Sequence, residues 1–216
     1  MGNWARRVRL AGFTRFRQLW RLDKHTISGT ITDFDTTDPV GEAEVQFFNQ
    51  VTGIVYVTAA DVKGKFAITI PTGIYDMFVI AIGYETEEEC DVDIHADDAK
   101  SNVALTPLEI VLTEFDFLEA ANPALEADVV GTIDSSATPG TVTLELPVGS
   151  SREELTPSWT IHPQCQVMHN GEVQISGKDV YDFSDSETTP LEFVVVEKAD
   201  ITNSKTYEVT VTVAQS

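Results

Sequence analysis

The sequence has 216 residues, 42% of them hydrophobic, and a formal net charge of −21. This length suits two domains of about 100 residues better than one small sandwich. The charge is uneven: residues 1–26 carry seven of the fourteen basic side chains and one acid, so this segment is +6 and the remainder is −27. The acidic remainder disfavours nucleic acid and anionic membranes as partners, whereas the basic segment suits either.

Residues 1–26 form a basic arm that does not resemble a targeting signal. The arm lacks an apolar core, a small-residue cleavage site and a lipobox cysteine. Arg6 stands where a myristoylation motif needs Ser or Thr, and no stretch reaches the ~20 apolar residues of a membrane span. Phe13, Phe16 and Trp20 follow helical spacing, which predicts a short amphipathic helix weakened by Gly12.

The arm intersperses arginines with large aromatic residues, the side chains that dominate protein interfaces. We therefore predict that it binds a protein assembly. An unstructured tail and folding back onto the chain's own acidic body are open alternatives, and nucleic acid or membrane binding is the least favoured. The predicted partner-binding residues are Trp4, Arg6, Arg7, Arg9, Phe13, Arg15, Phe16, Arg17, Trp20 and Arg21.

Three predicted strands, separated by turn residues, lie between Thr52 and Tyr84. They are Ile54–Thr58, Phe66–Ile70 and Tyr75–Ile82. The middle strand alternates large apolar residues with Ala and Thr, the period of a half-buried strand. The third is apolar on both faces, which predicts a position at the centre of its sheet.

Residues 27–107 extend this pattern to seven short strands, as is typical of an all-β sandwich. The remaining strands are predicted at Ile27–Thr32, Ala43–Asn49, Val92–His95 and Asn102–Thr106. A run of charged residues follows the predicted strand Tyr75–Ile82. We predict that its carboxylates blunt strand pairing at a sheet edge and perform no acid–base chemistry; they are Glu85, Glu87, Glu88, Glu89, Asp91 and Asp93.

Several short motifs in this first module resemble the carboxypeptidase regulatory-like family: SGTITD at 28–33, PVGEAEV at 39–45, GKF at 64–66, IPTGIY at 70–75 and GY at 83–84. The resemblance implies a transthyretin-like sandwich and a non-catalytic module of exported or surface proteins. Peptidase activity is not implied, because the catalytic zinc domain of those enzymes is a separate unit. Phe66 and Tyr75 would fill the core, and Gly41, Gly64 and Gly73 suit turns with positive φ.

Residues 108–216 form the second predicted module. FDF at 115–117, NPAL at 122–125, DVVGTI at 128–133 and DFS at 182–184 resemble an Ig-like repeat of Bacteroidetes surface lipoproteins. This resemblance implies a second β-sandwich without active-site residues. Two alternating sets should each face one core: Val142, Leu144 and Leu146, and Tyr207, Val209, Val211 and Val213. The predicted fold class is all-β, with two tandem Ig-like or transthyretin-like β-sandwiches preceded by the arm.

Two groups of side chains have spacings that loosely suggest metal binding. His162, Cys165 and His169 offer three ligands in one segment with no evident fourth, so we interpret them as incidental residues of a polar loop. The acidic turn Asp33–Gly41 supplies oxygens that suit calcium, but the glycine and closing glutamate of an EF-hand are missing. A solvated turn is the default interpretation there.

The sequence contains no nucleophile elbow and no phosphate-binding glycine loop. We therefore predict no enzyme activity, no catalytic residue, no cofactor and no metal. Cys90 and Cys165 fall in different modules, so we predict two unpaired thiols, which assign no compartment.

These features predict a non-enzymatic structural or binding protein. The first hypothesis is a bacteriophage virion component at the particle surface, of the capsid-decorating or head-fibre type, with the arm on the shell and the sandwiches projecting outward. The alternative is an adhesion, glycan-binding or protein-binding module at the cell surface of a Bacteroidetes-type bacterium. The lack of an export signal slightly favours the virion, provided that this N-terminus is the native one.

Overall fold

The structure is a computed structural model that describes residues 23–96 and 99–215, and every regular element within those residues is a β-strand. The first sandwich has two sheets. In one, β1 pairs with β4 on one side and with β7 and β8 on the other, and in the second the order is β3-β2-β5-β6. The strands are β1 Lys24–Asp33, β2 Glu44–Asn49, β3 Val55–Ala59, β4 Lys65–Pro71, β5 Gly73–Ile80, β6 Glu87–Ile94, β7 Ala99–Lys100 and β8 Val103–Leu105.

The core of the first sandwich lies between its two sheets. Alternate residues of each strand point inward, as the two-residue period of a strand requires. Phe66 and Tyr75 are both buried, as predicted, and pack against Phe47 with ring centroids 6.4 Å away in each case. The Tyr75 hydroxyl donates to the Pro71 carbonyl at 2.6 Å, which satisfies its one polar atom inside the core.

The second sandwich is built from a small sheet, β10-β9-β13, and a larger sheet of order β11-β12-β17-β16-β14-β15. The long strands β12 and β17 run parallel, and β17 pairs antiparallel with β16. The strands are β9 Leu112–Phe117, β10 Val129–Val130, β11 Thr132–Asp134, β12 Gly140–Leu146, β13 Ser158–Ile161, β14 Cys165–His169, β15 Glu172–Gln174, β16 Leu191–Glu197 and β17 Ser204–Val213.

The core of the second sandwich is separate from the first and rich in aromatic rings. Val142, Leu144 and Leu146 on β12 are buried, as are Tyr207 and Val209 on β17, so both predicted alternations face this core. Rings from four elements converge here on Phe193, whose centroid lies 5.0–6.1 Å from those of Tyr181, Phe115, His169 and Trp159. The two cores are made of residues from position 27 onward.

Three local predictions for the first sandwich are wrong. β1 begins at Lys24, so residues 24–26 belong to this strand and not to the arm. The strand predicted at Val92–His95 begins earlier, because Glu87–Glu89 are the first residues of β6 and pair with β5; β6 is an edge strand, so these carboxylates do lie at a sheet edge. Among the three turn glycines only Gly64 has a positive φ, and a Cβ there would lie 2.3 Å from the Ile31 carbonyl oxygen.

Gly41 and Gly73 are needed for close packing instead of backbone conformation. A Cβ on Gly41 would lie 3.1 Å from the Val62 Cα, and one on Gly73 would lie 2.9 Å from the Asn49 side-chain nitrogen. Next to Gly41, the residue with a positive φ is Glu42, at 61°. At Gly41 and Gly73, glycine therefore fits because there is little room for a side chain.

The prediction that β5 lies at the centre of its sheet is correct. β5 lies inside its sheet, between β2 and β6. Its inward residues Tyr75, Met77 and Val79 are in the core, but the opposite row, from Ile74 to Ile80, faces solvent. The second apolar face of β5 is therefore an outer surface of the molecule. Within the described residues no helix has the length and apolarity to cross a membrane.

Candidate binding surfaces

The ten residues predicted to bind a partner lie in residues 1–22, outside the part of the chain that the structure describes. Their role therefore stays a prediction. The described residues offer five other places to consider: the acidic turn, the histidine–cysteine group, the contact between the two sandwiches, the outer face of the sheet that contains β5, and a groove of the second sandwich.

The acidic turn is organised by hydrogen bonds within the protein. The Asp33 carboxylate accepts from the backbone N–H groups of Asp35 and Thr36, both at 2.8 Å, and from the Tyr84 hydroxyl at 3.0 Å. The bond from the Thr36 N–H is the main reason that the pKa of Asp33 lies below its usual value. These donors stabilise an Asx-type turn and pair both oxygens of Asp33 within the protein.

His162, Cys165 and His169 lie in different surroundings. The segment from Cys165 to His169 is a strand and not the predicted polar loop. Cys165 and His169 are the two ends of β14. Cys165 is buried. The Nε2 of His162 lies 3.7 Å from a carboxylate oxygen of Glu85. The His169 ring stacks on Phe193, and its Nδ1 is 2.7 Å from the Glu192 carbonyl oxygen. Within the described residues no group of three or more His, Cys, Asp or Glu side chains is placed to hold a metal ion.

The two sandwiches contact each other through a buried carboxylate. Glu197, at the end of β16, is 1% exposed and accepts from the Gly83 N–H with both oxygens, at 3.0 and 3.2 Å, and from the Asn203 amide at 2.7 Å. Gln164 adds two bonds, accepting from the Thr86 N–H and donating to the Tyr84 carbonyl. The contact is therefore specific, because its polar atoms are paired across the boundary.

The outer face of the β3-β2-β5-β6 sheet carries a cluster of apolar side chains that flank Gln46. We call the side chains of Phe48, Val55, Val57, Phe78 and Ile80 the open sheet face. The strand register places Phe48 beside Val55, and Gln46 between Val57 and Phe78. Val55 and Val57 are each about half exposed, at 47% and 51%. Neighbouring apolar residues that remain in water are characteristic of interaction surfaces.

Carboxylates border the open sheet face, and its strands carry no Lys or Arg. Glu44 pairs with Ile80, Glu88 pairs with Phe78, and Asp76 pairs with Phe48 across the sheet. Asp76 accepts a hydrogen bond from Gln50 at 2.8 Å. Within residues 23–96 and 99–215, none of these three carboxylates has a salt-bridge partner. Among the described residues, the face therefore combines apolar contact area with negative charge that no salt bridge neutralises.

Cys90 lies on β6, at one border of the open sheet face. It is an exposed free thiol on β6, with its sulfur 3.6 Å from a Glu88 oxygen, whereas Cys165 is buried in the other sandwich. Partial desolvation and the Glu88 carboxylate raise the pKa of the Cys90 thiol. Its thiolate fraction at neutral pH is therefore below that of a free cysteine.

The second sandwich has an open groove of about 760 Å³ between β14, β15 and the start of β16. Its lining includes His169, Tyr181, Glu172 and Glu192. The Tyr181 ring is 8% exposed and its hydroxyl donates to Gln174 at 2.6 Å, while the Nε2 of His169 lies 2.9 Å from the Asn170 amide nitrogen. Most of the polar and aromatic groups that would recognise a ligand here are already used within the protein.

The sheets and core of the first sandwich define a transthyretin-like β-sandwich module. Residues 26–106 match the family described as carboxypeptidase regulatory-like domain, and this part of the chain is such a domain. This confirms the resemblance of the sequence motifs in the first module. No curated protein matches the chain.

Solved structures show only remote likeness. Catechol 1,2-dioxygenase from Acinetobacter sp. ADP1 is 10% identical with a TM-score of 0.35 over 43% of this chain and 55% of its own, so the chain spans about half of that enzyme. A candidate carbohydrate-binding protein from Bacteroides uniformis is 14% identical (TM-score 0.35; 79% and 86% covered). A DUF3823 family protein from Parabacteroides merdae is 11% identical (TM-score 0.32; 80% and 89% covered). Scores at this level carry no functional assignment.

Proposed function

We propose that this chain is a non-enzymatic binding module of a bacterial surface protein, and that its open sheet face holds a polypeptide rich in basic and aromatic side chains. The observation that carries the proposal is a cluster of exposed apolar side chains on one sheet face, bordered by carboxylates that have no salt-bridge partner among the described residues. Apolar contact area would supply the affinity, and the carboxylates would select cationic partners.

A polypeptide suits this face better than a sugar does. The face is a broad sheet surface whose side chains are aliphatic and aromatic, and such surfaces bind the apolar side chains of another chain. A glycan in the groove of the second sandwich is the weaker candidate. The Tyr181 ring there is buried, and both nitrogens of His169 lie within hydrogen-bonding distance of other protein atoms.

The family match supports a non-catalytic surface role. The carboxypeptidase regulatory-like resemblance implies modules that accompany other domains on exported proteins and perform no chemistry themselves. The match covers residues 26–106, which contain the whole open sheet face. Neither the family match nor the structures named above supports the capsid-decorating hypothesis, and we do not propose it.

A peptide titration tests the proposed function. The protein comprises residues 23–216, which retain every residue of both cores, and the probe is a peptide with the composition of residues 1–22 in shuffled order. We expect saturable binding that weakens as salt rises, because the cations of the peptide meet the carboxylates of the face.

Val57→Lys should weaken this binding by at least about tenfold, because it removes apolar contact area and adds a like charge. Val173→Lys is the matched control, since Val173 is a similarly exposed valine on a strand of the second sandwich, 55% against 51%. Equal binding by the two variants, or no binding by the unmodified protein, would refute the role of the face.

A further inference from the structure

The described chain begins beside one end of the outward row of β5. The Asp23 carbonyl accepts from the Thr72 backbone N–H at 2.7 Å and from its hydroxyl at 3.0 Å. Thr72 immediately precedes β5, and Ile74 is the first outward residue of that strand. Asp23, the first described residue, is therefore held next to the start of β5, a strand of the sheet that carries the open sheet face.

The length of this attached segment is sufficient to cross the face. From Ile74 to Ile80 the outward row of β5 spans six residue steps, which is about 20 Å in a strand. A stretch of 22 residues reaches about 70 Å when fully extended and about 33 Å as a helix. In either conformation, a segment of 22 residues is long enough to reach the far end of the face while β1 stays paired.

The chemistry of the segment complements that of the face. Residues 1–22 contain six arginines and no acid, together with Trp4, Phe13, Phe16 and Trp20. The strands of the face carry no lysine or arginine, and Glu44, Asp76 and Glu88 lie beside its apolar side chains. Arginine pairs well with carboxylates, and aromatic rings bury large apolar areas.

We propose that residues 1–22 occupy the open sheet face of the same molecule, so that the chain covers its own binding surface until a partner displaces them. The inference rests on the proposed function, since it requires the face to bind basic and aromatic side chains. Attachment next to the start of β5 favours the same molecule over a second copy, because a short tether gives an effective concentration in the millimolar range.

Paramagnetic relaxation in the full-length protein tests this occupancy. A nitroxide is attached to Cys90, which is exposed at the border of the face, while Cys165 is 2% exposed and does not react in the folded protein. We expect the oxidised label to broaden the amide signals of residues 13–20 in isotope-labelled protein, and reduction of the label to restore them. Val57→Lys should abolish the broadening, and Val173→Lys should leave it intact.

Three results would overturn the inference. One is an arm whose signals are the same with oxidised and reduced label. Another is broadening that persists in Val57→Lys. The last is broadening that arises only between labelled and unlabelled copies, which would place a second molecule on the face. If the arm does not contact the face but the shuffled peptide binds residues 23–216, this inference fails while the proposed function stands. If neither binds, both fail.

Discussion

Replacing Phe66 by alanine should lower the free energy of unfolding of the first sandwich by roughly 3–5 kcal/mol, the usual cost of truncating a buried Phe. Phe66 is 4% exposed and packs on Phe47. It also covers Gly29, where a Cβ would lie 2.7 Å from the Phe66 ring and 1.7 Å from the Ser101 carbonyl oxygen. The surrounding backbone is therefore too tightly packed to collapse into the space left behind.

Chemical denaturation of residues 23–216 measures this effect. Circular dichroism follows both sandwiches, and the emission of Trp159, which stacks on Phe115, follows the second alone. We expect the Trp159 transition to keep its midpoint in Phe66→Ala, as independent domains require. Phe34→Ala is the control, because Phe34 is 64% exposed and should change stability little. Loss of both sandwiches in one transition would show that the Glu197 contact couples them into one folding unit.

Replacing Phe193 by alanine should lower the stability of the second sandwich by a similar amount, roughly 3–5 kcal/mol. Phe193 is fully buried on β16, where it contacts rings from three other strands and from the Tyr181 loop. Its removal takes away both buried area and edge-to-face ring contacts with Phe115 and Tyr181.

The Phe193→Ala variant should shift the Trp159 transition to lower denaturant and leave the first sandwich folded. Ile201→Ala is the control in the same sandwich, since Ile201 is 58% exposed in a turn. A Phe193→Ala variant with the stability of this control would contradict the packing of the aromatic cluster. The two truncations together test whether the proposed boundary near residue 107 separates two cooperative units.

The sandwich cores were predictable because their strands alternate cleanly. Val142, Leu144 and Leu146 follow a period of two with polar residues between them, and the structure buries all three. Phe66 was predictable for the same reason, whereas the burial of Tyr75, in a strand that is apolar on both faces, was predictable from the family motifs. Alternation is a local property, so it can be recognised without knowledge of the partner strand.

Features that depend on distant partners were not predictable. Glu197 ends a strand as many exposed glutamates do, and only the fold brings Gly83, 114 positions away, against its oxygens. The Glu87–Glu89 segment has poor strand propensity, but pairing with β5 overrides it. Gly41 and Gly73 are glycines because other chain segments pass close to them, which no local motif records.

The open sheet face had a signal in the sequence that admits two interpretations. A strand that is apolar on both sides is buried on both sides or leaves one apolar side in water. Phe78 and Ile80 fit either case, and what decides between them is the packing of the sheet, which has the core on one face and solvent on the other. The exposure of Val55 and Val57 on the neighbouring strand then identifies the outer side as a surface.

Titration of residues 23–216 with a synthetic peptide of residues 1–22 tests the central claim, binding of a basic, aromatic polypeptide to the open sheet face. The emission of Trp4 and Trp20 in the peptide reports the contact. We predict saturable one-to-one binding, with an emission shift that marks burial of the tryptophans. The affinity should be at least about tenfold lower for Val57→Lys and unchanged for Val173→Lys. Absence of saturable binding, or equal affinity for both variants, would contradict the claim.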